Sequence, residues 1–146
     1  MRIAIGSDHA GFPLKQSLAA WLAETGHAVY DLGTHSAEPV DYPDFSAAVA
    51  RAVLDGRADR GVIVCGSGAG ACMAANKLNG IRAGVAHDMY TAHQMVEHDD
   101  ANVLCLGSRV VAESIATDLV KTFIEAKFSR EERHVRRLEK IKALEG

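Results

Sequence analysis

Five short apolar runs alternate with helical patterns along the whole chain, and this alternation constrains the fold more than any other feature of the sequence. The runs lie at 2–6, 27–32, 61–65, 82–86 and 103–107. Strands that are apolar throughout, each followed by a helix, are typical of a parallel sheet with helices on both faces. The sequence of 146 residues therefore predicts one α/β domain over 1–146, a three-layer α/β/α sandwich with a five-stranded, Rossmann-like parallel sheet.

The last segment departs from this pattern. Residues 130–145 carry six basic and four acidic side chains and only a thin apolar line, formed by Val135, Leu138 and Ile141. Ser129 and Glu132 have the spacing of a capping box. We expect a polar C-terminal helix that lies across the surface of its own domain or of a second subunit.

Composition and patterning exclude several classes of protein. The net charge of -3 supplies no general attraction to nucleic acid. No apolar run approaches the roughly 18 residues of a membrane span, and residues 1–8 lack the apolar core of a secretory signal. The three cysteines, Cys65, Cys72 and Cys105, form no C-x-x-C pair, as expected for reduced thiols. We expect a cytoplasmic protein without nucleic-acid or membrane partners.

Reactive side chains follow the predicted strands at their carboxyl ends, where ligands collect in open parallel sheets. Asp8 and His9 follow the first strand, and Cys65 ends the third. His87 and Asp88 follow the fourth strand, and Arg109 comes shortly after the fifth. One edge of the sheet is therefore expected to hold a thiol, two imidazoles, two carboxylates and a guanidinium.

The glycine-rich turn at 66–70 is the most informative segment. Its glycines let the backbone approach a ligand, and N–H groups at a helix start favour a phosphate or a transient oxyanion. A plain tight turn is the alternative. Gly66, Gly68 and Ala71 also nearly match a dinucleotide fingerprint. However, the strands that begin at 61 and 82 are 21 residues apart, whereas a nucleotide-binding βαβ unit needs roughly 30.

Two further side chains have both a chemical and a structural interpretation. Cys65 is a candidate base or nucleophile because a helix N-terminus favours the thiolate, and a small buried hydrophobe is the alternative. We assign Cys72 and Cys105 to that second role. His98, beside Asp99, is either a general acid or base or a favourable cation at a helix C-terminus.

Arg133 and Arg137 lie one helical turn apart and share a face. Such a pair can bind a phosphate, and a solvated, salt-bridged helix is the alternative interpretation. No spacing of His, Cys and carboxylate residues resembles a metal site.

Seven motifs together resemble the type B ribose-5-phosphate isomerases and their sugar-phosphate isomerase relatives over nearly the whole chain. They are I-G-S-D-H-A-G at 5–11, D-Y-P at 41–43, C-G-S-G-A-G at 65–70, A-A-N-K at 74–77, G-I-R-A at 80–83, N-V-L-C-L-G-S-R at 102–109 and R-H-V-R-R at 133–137. The resemblance implies interconversion of ribose 5-phosphate and ribulose 5-phosphate without a metal or organic cofactor. It also implies a homodimer, or a tetramer built from dimers, with active sites at the subunit interface and the helix at about 130–145 near that interface.

The resemblance implies a role for each candidate residue. Cys65 would move the proton between C1 and C2, with Ser67 beside it, and His98 would assist ring opening. The residues implied to bind substrate are Asp8, His9, Gly66, Ser67, Gly68, Ala69, Gly70, Asp99, Arg109, Arg133 and Arg137, the last two from the partner chain.

Two positions depart from the family pattern. Ala71 and Cys72 stand where some members carry a catalytic glutamate, which leaves Cys65 as the base. Asp99 stands where the family usually has asparagine, and a carboxylate can only accept a hydrogen bond from a sugar hydroxyl. A relative that acts on hexose 6-phosphates, such as allose or galactose 6-phosphate, is therefore the alternative.

Overall fold

In the computed structural model, which describes residues 1–146, five parallel strands form one sheet in the order β2-β1-β3-β5-β4. The strands are β1 Arg2–Ser7, β2 Ala28–Asp31, β3 Arg60–Cys65, β4 Ala83–Val85 and β5 Val103–Gly107. The helices are α1 Phe12–Glu24, α2 Tyr42–Leu54, α3 Ala69–Ala75, α4 Met89–Glu97, α5 Glu113–Glu125 and α6 Glu132–Ala143. The predicted α/β fold with a five-stranded parallel sheet is confirmed.

Two hydrophobic clusters fill the space between the sheet and its two helical layers. Successive side chains of a strand point to opposite faces, so each central strand contributes to both clusters. Ile5 and Val64 pack in the cluster that includes α1, α4 and α5. Ala4 and Cys65 pack in the cluster that includes α2 and α3. This alternation places the Cys65 side chain on the same side of the sheet as α3.

The strand order creates a switch point between β1 and β3, because the chain passes from β1 to β2 on one side and then returns to β3 on the other. Ligands of open parallel sheets bind outside the carboxyl ends of the strands at such a point. The register pairs Ser7 with Val64 and Cys65 with Gly107. The ends of three adjacent strands therefore meet at one level.

The C-terminal helix is shorter than predicted, and the prediction of a capping box formed by Ser129 and Glu132 is wrong. The helix begins at Glu132 and has no side-chain cap. The Ser129 hydroxyl instead contacts Nδ1 of His134 and accepts a hydrogen bond from the N–H of Glu131 at 3.2 Å. A buried imidazole needs a polar partner, and His134 is only 3% exposed. The helix contacts its own chain through His134, whose ring stacks on that of His98, and after the helix Glu145 accepts a hydrogen bond from the N–H of Gly80 at 2.8 Å.

None of the six helices has both the length and the apolar character that crossing a membrane requires.

Candidate active site

An open cleft of about 450 Å³ lies where β1, β3 and β5 end. Six of the predicted site residues line it, together with two residues that the sequence analysis did not assign. The lining residues are Asp8, Tyr42, Cys65, Gly66, Ser67, Gly70, Arg109 and Val110. The prediction that reactive groups gather at this edge is confirmed for these six positions.

The Cys65 thiol lies at the entrance of the glycine loop. Its side chain is almost fully buried, at 4% exposure for the residue, and Sγ accepts a hydrogen bond from the N–H of Gly68 at 3.1 Å. Gly68 has a φ of +81°, a left-handed conformation that glycine adopts without strain. The loop conformation therefore holds the sulfur against its own backbone.

The glycine loop also offers free hydrogen-bond donors. The N–H of Ala69 donates to Oγ of Ser67 at 3.2 Å, whereas the N–H groups of Gly66, Ser67 and Gly70 have no partner within the chain. Unpaired N–H groups at the start of a helix attract negative charge. The loop can therefore stabilise an oxyanion that forms beside Cys65.

The segment after β5 is fastened to this loop. The N–H of Ser108 donates to the carbonyl of Cys65 at 2.8 Å, and that of Arg109 donates to the carbonyl of Gly66 at 3.1 Å. The Arg109 side chain lies over Gly66, where an added Cβ would approach Nη1 to 3.2 Å. The Arg109 guanidinium forms no ion pair, so it is free to bind an anion.

The turn after β1 presents a carboxylate and an imidazole. Oδ1 of Asp8 accepts a hydrogen bond from the N–H of Gly11 at 2.9 Å, and Oδ2 has no hydrogen-bond partner within the chain. Nδ1 of His9 accepts a hydrogen bond from the N–H of Val40 at 3.1 Å. A neutral imidazole with an occupied Nδ1 carries its proton on Nε2. His9 is therefore oriented as a donor through Nε2.

Of the two lining residues that sequence reasoning missed, Tyr42 is the polar one. It is the first residue of α2, and its ring lies so close to Gly70 that an added Cβ there would be 2.6 Å from Cζ. Its position in the D-Y-P motif, at the end of a polar loop on the carboxyl side of the sheet, was the available signal. A phenol at this position can donate to or accept from a substrate hydroxyl.

Four predicted site residues lie at the opposite edge of the sheet, in a set that we call the amino-edge cluster: His98, Asp99, Arg133 and Arg137. The helix α4 begins after β4 and runs back across nine residues, so its last residue lies about 12 Å along the helix axis from its first. Asp100, next in the chain, pairs at 3.2 Å with Arg82, which immediately precedes β4. Within a single chain, His98 and Cys65 therefore lie at opposite edges of the sheet.

His98 is held by neighbouring side chains. Its ring stacks on that of His134, with centroids 4.1 Å apart and planes inclined by 25°. Nε2 of Gln94 lies 3.0 Å from Nδ1 of His98. Burial, followed by repulsion from His98, lowers the pKa of His134. Arg133 pairs with Glu131 at 3.0 Å, whereas Arg137 is exposed and has no ion-pair partner.

The other two thiols differ from each other. Cys105 is fully buried in β5, as predicted. Cys72 is only half-buried, and hydrogen bonding with the Cys105 side chain lowers the pKa of Cys72 to about 7. The same interaction, together with burial, raises the pKa of Cys105. Cys72 packs against the cluster that includes α2 and α3, as its assignment to a packing role predicts, but it is less buried than Cys105. No group of three or more His, Cys, Asp or Glu side chains is placed to hold a metal ion.

The fold and the cleft define an α/β enzyme with a thiol, an oxyanion loop and an arginine at the switch point of a parallel sheet. The family model of the ribose/galactose isomerases matches residues 3–141. The chain belongs to this family, and it is a sugar-phosphate aldose–ketose isomerase. This result confirms the resemblance and replaces the dinucleotide-binding alternative.

Individual relatives agree with the family assignment. The chain is 44% identical to ribose-5-phosphate isomerase B of Escherichia coli, over 99% of this chain and 96% of that protein. It is 39% identical to galactose-6-phosphate isomerase subunit LacB of Clostridium acetobutylicum, over 88% of this chain and 74% of that protein. The structure of Clostridium thermocellum ribose-5-phosphate isomerase B superposes with a TM-score of 0.97 at 49% identity, covering 99% of this chain and 97% of that one.

Proposed function

We propose that this enzyme interconverts ribose 5-phosphate and ribulose 5-phosphate with Cys65 as the base. The observation that carries the proposal is the position of Sγ of Cys65 beside a loop with three free N–H groups. The Cys65 thiolate removes the proton from C2 of the open-chain aldose and returns it to C1. The enediolate formed between these steps carries negative charge on oxygen, and the N–H groups of the loop stabilise that charge.

The reaction needs no electron acceptor, because the hydrogen and both electrons of the broken C–H bond stay within the substrate. The reaction therefore requires no redox cofactor, and we propose that it also proceeds without a metal, as the family resemblance implies. The Ser67 hydroxyl, next to the base, moves the proton between the two substrate oxygens. Asp8 and Tyr42, which line the cleft, hold the sugar hydroxyls, and Arg109 contributes to phosphate binding. His9, next to Asp8 in the turn after β1, donates to the substrate through Nε2.

The functional unit is a homodimer in which the partner completes each site. The amino-edge cluster is too far from Cys65 of its own chain, and the exposed Arg137 has no partner there. A two-fold axis places the same patch of each subunit against the other. His98 of the partner subunit then assists ring opening, while Arg133 of the partner subunit and Arg137 of the partner subunit bind the phosphate. Helix α6 contributes to this interface.

A hexose 6-phosphate is the second candidate substrate, and Asp99 is the observation that favours it. Asp99 is exposed, and its carboxylate makes no hydrogen bond within the chain. A carboxylate accepts hydrogen bonds from hydroxyls but cannot donate one. The chain is also 39% identical to LacB, a subunit of galactose-6-phosphate isomerase, so the family includes proteins named for a six-carbon sugar.

An isomerisation assay with ribose 5-phosphate, allose 6-phosphate and galactose 6-phosphate tests the substrate. We expect the highest kcat/KM with ribose 5-phosphate, and a preference for either hexose would contradict the proposal. Cys65→Ala should lower kcat by more than tenfold, a loss above about 1.4 kcal/mol, while ribose 5-phosphate still raises Tm. Cys72→Ala removes a neighbouring thiol outside the cleft and should retain activity. A Cys65→Ala enzyme with more than a tenth of the wild-type kcat would show that another group is the base.

Mixing two inactive variants tests the shared site. Arg137→Ala and Cys65→Ala chains should each be inactive alone and should recover activity when mixed, dissociated and reassociated. At equal amounts, about one quarter of the sites would contain neither substitution if each site takes one group from each chain. Absence of recovery, with subunit exchange demonstrated by mass spectrometry, would place both groups in the site of one chain.

A further inference from the structure

Lys15 is the largest fully buried side chain of the protein, at 0% exposure, and the reaction described above does not use it. A buried ammonium is costly unless it is paired and hydrogen-bonded. Its Nζ donates to both carboxylate oxygens of Asp31, at 2.7 and 2.9 Å, and to the carbonyl of Thr34 at 2.6 Å. All three donors of the ammonium therefore have acceptors.

These acceptors lie at the end of β2, in Asp31, and near the start of the loop at 32–41 that leads to α2, in Thr34. The N–H of Ser7 donates to the carbonyl of Gly33 at 2.7 Å, and the N–H of Thr34 donates to the carbonyl of Ser7 at 2.8 Å. Oδ1 of Asp31 also accepts the N–H of Gly33 at 3.0 Å. Lys15 thus fastens the loop where it crosses the end of β1, directly before Asp8.

The other end of the same loop enters the cleft. Val40 donates its N–H to Nδ1 of His9, and Tyr42 follows two residues later. On the helix side, the N–H of Lys15 donates to the carbonyl of Gly11 at 2.8 Å, and the N–H of Gly11 donates to Asp8. Lys15 therefore lies between the turn that carries Asp8 and His9 and the loop that orients His9.

We propose that Lys15 is a positioning residue for substrate binding. This inference rests on the function proposed above for the same cleft. By holding the start of the loop, Lys15 sets the position of the Val40 N–H. That N–H keeps the proton of His9 on Nε2, the atom available to the substrate. Loss of the ammonium releases the loop, and His9 and Tyr42 lose their fixed positions.

Kinetics of Lys15→Met test this role, because methionine has a similar length and no charge. We expect KM for ribose 5-phosphate to rise about tenfold and kcat to fall by less than threefold. Leu22→Ala is the matched control, since Leu22 is buried on the same helix far from the loop. It should lower Tm and leave KM unchanged. Equal KM values for the two variants would overturn the proposal.

A second readout uses neither substrate nor turnover. In ¹⁵N NMR spectra of the free protein, His9 should show a protonated Nε2 and an unprotonated Nδ1, and Lys15→Met should populate both tautomers. An unchanged tautomer in Lys15→Met would overturn the proposal even if KM rose.

If Lys15→Met does not fold, Asp31→Asn weakens the same contact and should shift KM and the tautomer in the same directions. Absence of both shifts in that variant would also overturn it. Failure of wild-type enzyme to isomerise ribose 5-phosphate would instead contradict the proposed function, with the tautomer result still deciding the role of Lys15.

Discussion

Gly107→Ala is expected to damage catalysis without touching a reactive group. Gly107 ends β5, and its N–H donates to Nε2 of His87 at 2.9 Å. An added Cβ would lie 2.7 Å from both the carbonyl carbon and the carbonyl oxygen of Ser67. Because the atoms it meets are backbone, no side-chain rotation relieves the contact. Restoring an ordinary contact of about 3.4 Å requires a displacement of about 0.7 Å in the glycine loop or in the end of β5.

The magnitude of the effect follows from that displacement. A misplacement of about 1 Å in a catalytic arrangement can lower a rate by roughly 100-fold. We therefore expect kcat/KM for ribose 5-phosphate to fall about 10- to 100-fold, or about 1.4–2.7 kcal/mol of transition-state stabilisation. Overpacking should also lower the free energy of unfolding by about 1–3 kcal/mol, which leaves a folded enzyme.

Steady-state kinetics and thermal unfolding of two variants separate these effects. Gly84→Ala is the control, because Gly84 lies in the neighbouring strand β4 and its added Cβ meets only the flexible end of Met95, at 3.2 Å. We expect Gly84→Ala to keep kcat/KM within about threefold of wild type. Wild-type kcat/KM in Gly107→Ala would refute the role of the glycine loop. Equal losses of kcat/KM in both variants would show that general strain, and not displacement of the glycine loop, causes the effect.

Two further predictions concern single charges. Asp99→Asn should lower KM for ribose 5-phosphate, because it removes a negative charge near a phosphorylated substrate and restores a hydrogen-bond donor; an unchanged KM would show that Asp99 points away from the site. Cys72 should react with iodoacetamide at a rate that reaches half of its maximum near pH 7, because the lowered pKa makes the thiolate available there. Mass spectrometry should detect no label on the buried Cys105. A midpoint near the ordinary thiol value of about 8.5 would contradict the interaction between the two cysteines.

Much of the cleft could be predicted from the sequence because it depends on a geometric rule. Residues at the end of a parallel strand lie at the carboxyl edge, so Asp8, Cys65 and Arg109 are predicted at one edge of the sheet. Their convergence in one cleft also requires β1, β3 and β5 to be neighbours, which the strand order provides. Tyr42 does not follow a strand directly, and its approach to Gly70 depends on how the loop at 32–41 folds. The capping box failed for a similar reason. The sequence pattern pairs Ser129 with Glu132, but the Ser129 hydroxyl contacts the ring of His134, which tertiary packing buries against the ring of His98.

The sequence by itself determined the strands, the helices and the edge at which the thiol, the glycine loop and Arg109 meet, because apolar periodicity and turn residues act over a few positions. Only the tertiary structure decided the order β2-β1-β3-β5-β4, the separation of His98 from Cys65 and the pairing of Lys15 with Asp31. The strands carry similar short apolar runs, so their local patterns do not specify which strand lies beside which. Strand order and buried ion pairs depend instead on contacts between segments distant in sequence, which exist only after the helices have packed on both faces of the sheet.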